Sequence, residues 1–494
     1  MNIADHAAGD ADSPALIVAD GDTISYGELY ARSQRVAALL HEAGLRRGDG
    51  VALVLPNRPE FLEITWGCQL SGLYYSAINT HFTPDEVAYV VDDSEAKAVF
   101  VDAGGDLHID VAGVSHPYED ALAGAGGAPP ISDGSEMLYS SGTTGKPKAV
   151  RRPLPADGNG SWAQKVLEYT LTQRYGMTSE SVYLSPAPLY HTAGVNYAMA
   201  VHRVGAAAIL MRKFDAEAVL RHIETYRVTH AQFVPTMFVR MLKLPDVVRR
   251  SYDVSSLEYV IHAAAPCPVD VKHRMMEWFG PIIYEYYGGT EGFAGTTIDP
   301  QEWLAHPGSV GKPFTPMHVV GEDGSELTVG ESGELYFEGG PPFEYFKDPE
   351  KTASVSNEHG WRSLGDMGYV DDDGYLYLTD RSTFMIVAGG VNIYPQEAEN
   401  LLVMHPKLVD AAVFGVPNEE FGEEVKAVVQ PEEGVTAGPE LEAELVEYCR
   451  AHLASYKCPR SVDFDSELPR DPNGKLYKRR IRERYWQGRT SRIL

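Results

Sequence analysis

The sequence predicts an α/β protein: a large N-terminal region of mostly parallel sheets covered by helices, followed by a small α+β C-terminal domain. Three observations carry that prediction. The chain has 494 residues, too many for one hydrophobic core. Its N-terminal part alternates between strand and helix patterns, and the pattern changes near residue 380.

The elements follow in order. Ser25 and Glu28 form a capping-box pair ahead of Leu29, Val36, Leu39 and Leu40 on one helical face, with Gly44 as the stop. The apolar run 51–55 reads as a buried strand and 61–70 as a helix. Thr83 and Glu86 cap a further helix that opens on Pro84, and 97–101 is the next strand. Beyond Arg381 a helical pattern over 396–405 precedes strand-like runs at 409–416 and 424–430, then a charged helix over 439–453. The expected division is 1–382 and 383–494. No internal repeat and no long low-complexity linker interrupts it.

Composition narrows the function. With 44% hydrophobic and 23% charged residues this is an ordinary globular composition, and no apolar run approaches the ~20 residues that span a bilayer. The N-terminus lacks the basic start and apolar stretch of a secretory signal, so a cytoplasmic protein without a transmembrane segment is expected. A formal charge of −28 argues against nucleic acid or an anionic membrane as partner, since both require a basic face. Cys68, Cys267, Cys449 and Cys458 form no CxxC pair and are expected to be reduced structural thiols. The one strongly basic stretch is the tail from Lys475 onward, which reads as a solvated helix end or an anion contact.

The most informative segment is 139–148, YSSGTTGKPK, directly after a strand-like lead-in. Gly142 and Gly145 can adopt backbone angles closed to other residues, so that consecutive N–H groups converge on an anion. Ser140, Ser141, Thr143 and Thr144 add hydroxyl donors, and Lys146 and Lys148 supply charge. It is not the P-loop of the nucleotide triphosphatases, because Ser140 and Pro147 stand where that loop needs Gly and Ser or Thr. It resembles instead the phosphate loop of the superfamily of acyl-CoA synthetases, nonribosomal-peptide adenylation domains and beetle luciferases.

Further motifs in the same order extend the resemblance over residues 20–480. The segment 188–194, PLYHTAG, looks like the one whose histidine lines the acyl pocket, which nominates His191. Ala263, Ala264 and Ala265 resemble the small-residue turn along adenine and the carboxylate. The run Tyr286, Tyr287, Gly288, Gly289, Thr290, Glu291 is similar to the motif whose aromatic stacks on adenine, whose threonine contacts phosphate and whose glutamate holds magnesium. A π-face suits a purine, and a carboxylate suits a hard cation. Gly289 stands where many relatives carry a larger residue, and we expect it to enlarge the acyl pocket.

Asp366, reached through Leu364 interposed after Ser363, matches the aspartate that accepts both ribose hydroxyls, and Arg381 the arginine beside the ribose and α-phosphate. Gly389 and Gly390 open a segment that helps form the pantetheine passage in relatives, and Lys475 occupies the place of the adenylating lysine. Thr383 falls at the hinge, where relatives place Asp or Lys.

By this resemblance the protein is a ligase. A carboxylate attacks the α-phosphate of MgATP, giving acyl-adenylate and pyrophosphate; the C-terminal domain then turns about Thr383, and a thiol, most simply that of coenzyme A, displaces AMP. An ammonium at Lys475 would offset the charge that builds in the first step. Because ATP and coenzyme A are anions, so acidic a protein must meet them with backbone donors, a metal ion and a few placed cations. Two other readings fit the same residues: a stand-alone enzyme that loads an acyl carrier protein, and a catalytically silent acyl- or nucleotide-binding protein. The motifs leave open whether the acid is fatty, aryl or steroid-like, and they do not fix an oligomeric state.

Overall fold

The computed structural model describes residues 2–126, 132–140, 147–155, 161–381, 384–388, 391–418, 421–470 and 476–486. Local signals become elements where the chemistry is local. Ser25 Oγ accepts the N–H of Glu28 at 3.2 Å while Glu28 Oε2 accepts that of Ser25 at 2.9 Å, which starts the helix Tyr26–Glu42. Gly44 follows at φ +90°. Thr83 and Glu86 repeat the device at the helix Pro84–Asp93. The helix Pro59–Leu70 is buried on every side from Phe61 to Leu70. Its Gly67 lets Tyr26–Glu42 approach, since a Cβ there would lie 2.6 Å from Val36 Cγ1.

Among the described residues five sheets form. The largest has nine strands, and its centre is parallel, in the order Ile283–Gly288, Tyr259–His262, His230–Phe233, Val182–Ser185, Ala207–Leu210, Pro14–Val18. A six-stranded sheet carries Ala96–Ala103, Gly50–Val54, Tyr74–Ala77 and Ser135–Glu136 in parallel. Helices such as Pro59–Leu70 and Thr192–Val204 contribute to a core that also holds Trp66, Phe61 and Tyr75. Two antiparallel sheets were not foreseen: Met317–Val320, Gly333–Phe337, Arg362–Val370 and Leu376–Arg381 form one, and the hairpin Leu138–Ser140 with Lys148–Arg151 belongs to the other.

From Ile386 on, the chain builds a sheet and core of its own, with Leu408–Asn418 paired to Gly422–Pro431 and the helix Pro439–His452 packed through Leu441, Leu445 and Cys449. This part touches the rest at Lys243, whose ammonium meets the Leu408 carbonyl and lies 3.4 Å from Glu432, and at Arg480, 3.3 Å from Glu86. Among the described residues no helix is long and apolar enough to cross a membrane.

The described start of the basic tail is the short helix Lys478–Arg482, with Arg479 and Arg480 exposed and Lys478 buried. Lys478 is buried against Glu399 at 2.8 Å, while Arg479 pairs with Glu483 and Arg480 with Glu86 at the surface, so of these three only the Lys478 charge is spent inside the protein. The phosphate-loop lysine Lys148 likewise lies 3.1 Å from Asp348.

Candidate active site

In a sheet of parallel strands the connections at the carboxyl ends open onto one edge, and ligands gather there. Three of the sequence motifs do so here. Val182–Ser185 leads to His191, the residue that begins the helix Thr192–Val204; Tyr259–His262 leads to Ala263, Ala264 and Ala265; Ile283–Gly288 runs into Gly289, Thr290 and Glu291. The structure therefore unites residues far apart in the chain.

The contacts at this edge are specific. Gly194 passes so close to the backbone that a Cβ would lie 2.3 Å from the Pro188 carbonyl. The His191 and Tyr190 rings are 4.7 Å apart, and Thr192 Oγ1 lies 3.4 Å from Thr290 Oγ1. Ala264 sits at φ +75°, a conformation that costs a residue with a Cβ about 1–2 kcal/mol. Val195 and Tyr197 are buried, and Tyr197 stacks on Tyr286 with ring centroids 5.9 Å apart. Tyr287 donates its hydroxyl to Asp366 Oδ2 at 2.7 Å, and Asp366 stands opposite Arg381 in the ladder between Arg362–Val370 and Leu376–Arg381.

Glu291 is held at its head: Tyr345 donates to Glu291 Oε1 at 2.6 Å. Burial first, and then the Glu291 charge, push the Tyr345 phenol well above its usual range, so it stays a donor. Gly289 follows directly on the end of the strand Ile283–Gly288. A Cβ there would lie 2.6 Å from Glu291 Oε2 and 2.7 Å from Leu364 Cδ2, so the absent side chain makes room for Leu364 and the carboxylate.

Beneath the edge lies a buried ionic group. Lys272 Nζ is 2.7 Å from Glu285 Oε2, and His262 Nε2 is 3.3 Å from the same oxygen. Burial alone would raise the Glu285 carboxyl, but Lys272 and His262 outweigh it and hold it down to about 2. Burial pushes the His262 imidazole below its usual value. Because His262 precedes the alanine turn and Glu285 precedes Tyr286, this cluster ties together the two strand ends that carry the motifs.

Several predicted residues fall outside the described ones: Ser141, Gly142, Thr143, Thr144, Gly145 and Lys146 of the loop, Thr383, Gly389, Gly390 and Lys475, together with the side chains of Ser140 and Arg381. Their flanks are described. Ser140 pairs with Lys148, Ala388 with Val391 and Arg470 with Leu476. Arg470 is itself clamped by Asp410, with Nη2 2.7 Å from Oδ1.

Sequence reasoning named Leu364 without its packing partner and missed Tyr345, the Lys272 cluster and Arg152, which reaches Glu136 and the Thr290 carbonyl. Leu364 had a signal, since it interrupts a motif. The others had none, because each meets its partner only through the tertiary fold.

A family model described as AMP-binding enzyme matches residues 3–343, and one described as AMP-binding enzyme C-terminal domain matches 397–475. A feruloyl-CoA synthase of Amycolatopsis sp is 34% identical over 94% of this chain and 94% of its own. A long-chain-fatty-acid–CoA ligase of Mycobacterium tuberculosis is 31% identical over 94% and 93%. The o-succinylbenzoate-CoA synthetase of Bacillus subtilis, solved with its acyl-adenylate intermediate, superposes with a TM-score of 0.81 at 26% identity, covering 99% of this chain and 98% of that one.

Proposed function

The chain belongs to the AMP-binding enzymes, and from that premise we propose that it is an ATP-dependent acyl-CoA ligase working through an acyl-adenylate. A carboxylate oxygen attacks the α-phosphorus of ATP and the bond to pyrophosphate breaks; the thiol of coenzyme A then attacks the acyl carbon and AMP leaves with the bonding electrons. The observation that carries this reading is the hydrogen bond by which Tyr287, on the strand that runs into Thr290 and Glu291, reaches Asp366, which pairs with Arg381 in the neighbouring antiparallel sheet.

In this reading Tyr287 offers its ring to adenine while its hydroxyl braces Asp366, which takes the ribose hydroxyls with Arg381 opposite. The alanine turn 263–265 lies along the base and the carboxylate, Gly288 belongs with Tyr286 and Tyr287 to the nucleotide contact, and His191 borders the acid. Thr290 and the loop 140–146 take the phosphates, and Lys475 supplies the charge at the α-phosphate. Magnesium suits Glu291: one carboxylate plus phosphate oxygens is how this ion is usually held, and among the described residues no cluster of His, Cys, Asp or Glu offers a cage for another metal. When bound it would neutralise phosphate charge. Glu291, oriented by Tyr345, would be its protein ligand.

The division at 382/383, with Thr383 as hinge and Gly389 and Gly390 along the thiol passage, belongs to the same proposal. It is supported by the change of sheet between Arg381 and Ile386 and by the two matched models. Hinges are positions that absorb a change of backbone angles rather than positions that need a given side chain, so a threonine there is compatible with the role. Relatives named for feruloyl, succinylbenzoyl and long-chain fatty acyl groups share this frame, so the acid is chosen by residues between the motifs. Purified enzyme offered aryl, fatty and steroid-like acids with ATP, magnesium and free coenzyme A should yield one class of acyl-CoA by mass spectrometry. Transfer to an acyl carrier protein but never to free coenzyme A would select the carrier-loading alternative.

A further inference from the structure

Arg152 is the first residue beyond the strand Lys148–Arg151, on the far side of the hairpin from the phosphate loop. Its carbonyl accepts the Tyr74 hydroxyl at 2.7 Å, which fixes its backbone. Its side chain turns away from solvent, 14% exposed, and divides between two acceptors. Nη1 lies 3.0 Å from Glu136 Oε1, and Nη2 donates to the Thr290 carbonyl at 2.5 Å. Glu136 is 4% exposed and belongs to the edge strand Ser135–Glu136, paired to Tyr74–Ala77. Gly292 completes the socket: at φ +74°, a Cβ there would lie 2.7 Å from Arg152 Nη2.

The Thr290 carbonyl belongs to the peptide unit from which Glu291 springs. Arg152 holds that unit from below while the Tyr345 hydroxyl holds the Glu291 carboxylate from the other end. We propose that Arg152 is a positioning residue that sets Thr290 and Glu291 against the phosphate hairpin, and so prepares Glu291 to meet the metal that accompanies ATP. The inference rests on the ligase reading. Arginine suits the task because its planar fork serves two acceptors in fixed directions, whereas lysine offers one point charge. Gly292 is coupled to it, since a side chain there would collide with the fork.

Replacing Arg152 alone would strand the buried Glu136 carboxylate and lower stability for a trivial reason. The test therefore compares Arg152→Lys with a double variant, Arg152→Gln with Glu136→Gln, in which no charge is left unpaired. Calorimetry measures ATP affinity with and without magnesium, and manganese binding in the presence of ATP is followed by electron paramagnetic resonance. Both variants should lose about tenfold to a hundredfold of metal affinity, the usual loss when a group orienting a metal ligand is removed, while ATP affinity without metal and the thermal midpoint of the double variant stay near the parent's. Metal affinity unchanged in a folded double variant would overturn the proposal. A parent protein whose ATP affinity ignores magnesium would overturn the ligase reading of Glu291 as well, which separates the two failures.

Discussion

Leu364 fills the space that a side chain on Gly289 would need, with its Cδ2 2.7 Å from where that Cβ would stand. The interposed leucine of one motif and the bare glycine of another are thus a matched pair, and the Glu291 carboxylate is the third member.

Gly289→Ala should therefore damage adenylation rather than alter acid preference. Overpacking of this kind costs about 1–3 kcal/mol, and displaced onto Glu291 it should lower kcat/KM for ATP about tenfold. Leu364→Ala in the same chain should restore most of the loss, as neighbours in contact do not add. A Gly289→Ala enzyme of full activity but altered acid preference, measured by pyrophosphate release over an acid panel, would place the glycine at the acyl pocket instead.

Tyr287→Phe keeps the ring and removes the hydrogen bond to Asp366. A net bond of about 1 kcal/mol predicts a roughly fivefold rise in the KM for ATP with the KM for the acid unchanged. Steady-state kinetics in both substrates checks it, and an equal rise in both constants would refute the ribose assignment of Asp366.

The acid limb of stability should carry the signature of Glu285. Its folded value near 2 lies below the value of about 4.3 for an unfolded chain, so its contribution is complete above about pH 5 and is lost as pH falls toward 2. His262, also depressed, acts with the same sign from about pH 6.5 downward. Lys272→Met alone strands the carboxylate and should cost about 3–5 kcal/mol. The pair Lys272→Met with Glu285→Leu should recover much of this and show a flatter fall of the urea midpoint between pH 5 and 3. An unchanged slope would show that Glu285 does not titrate as its neighbours dictate.

Much of this site was legible because its chemistry is written in short runs. Capping at Ser25 and Thr83, the stop at Gly44 and the motifs at 188–194, 263–265 and 286–291 depend on neighbours in the chain. The order of the nine strands, the antiparallel sheet that sets Asp366 opposite Arg381, and the clasp of Tyr345 on Glu291 do not, since each pairs segments whose separation no local pattern encodes. Lys478 shows the opposite error: a basic run reads as solvated, yet burial against Glu399 makes this lysine part of the small domain's frame.

Lys475→Ala should separate the half-reactions. Losing a cation aimed at developing charge costs about a hundredfold to a thousandfold, so acyl-adenylate formation should fall by that factor. Synthetic acyl-adenylate should still pass its acyl group to coenzyme A at nearly the parent rate. Equal loss in both steps would place Lys475 elsewhere in the cycle.

The central claim is that this chain brings an organic carboxylate to the α-phosphate of ATP, and acid-dependent exchange of labelled pyrophosphate into ATP tests it most directly. With magnesium and the right acid, and without coenzyme A, label should enter ATP and acyl-adenylate should be recoverable after acid quench. Purified, folded enzyme that exchanges no label with any aryl, fatty or steroid-like acid would contradict the account.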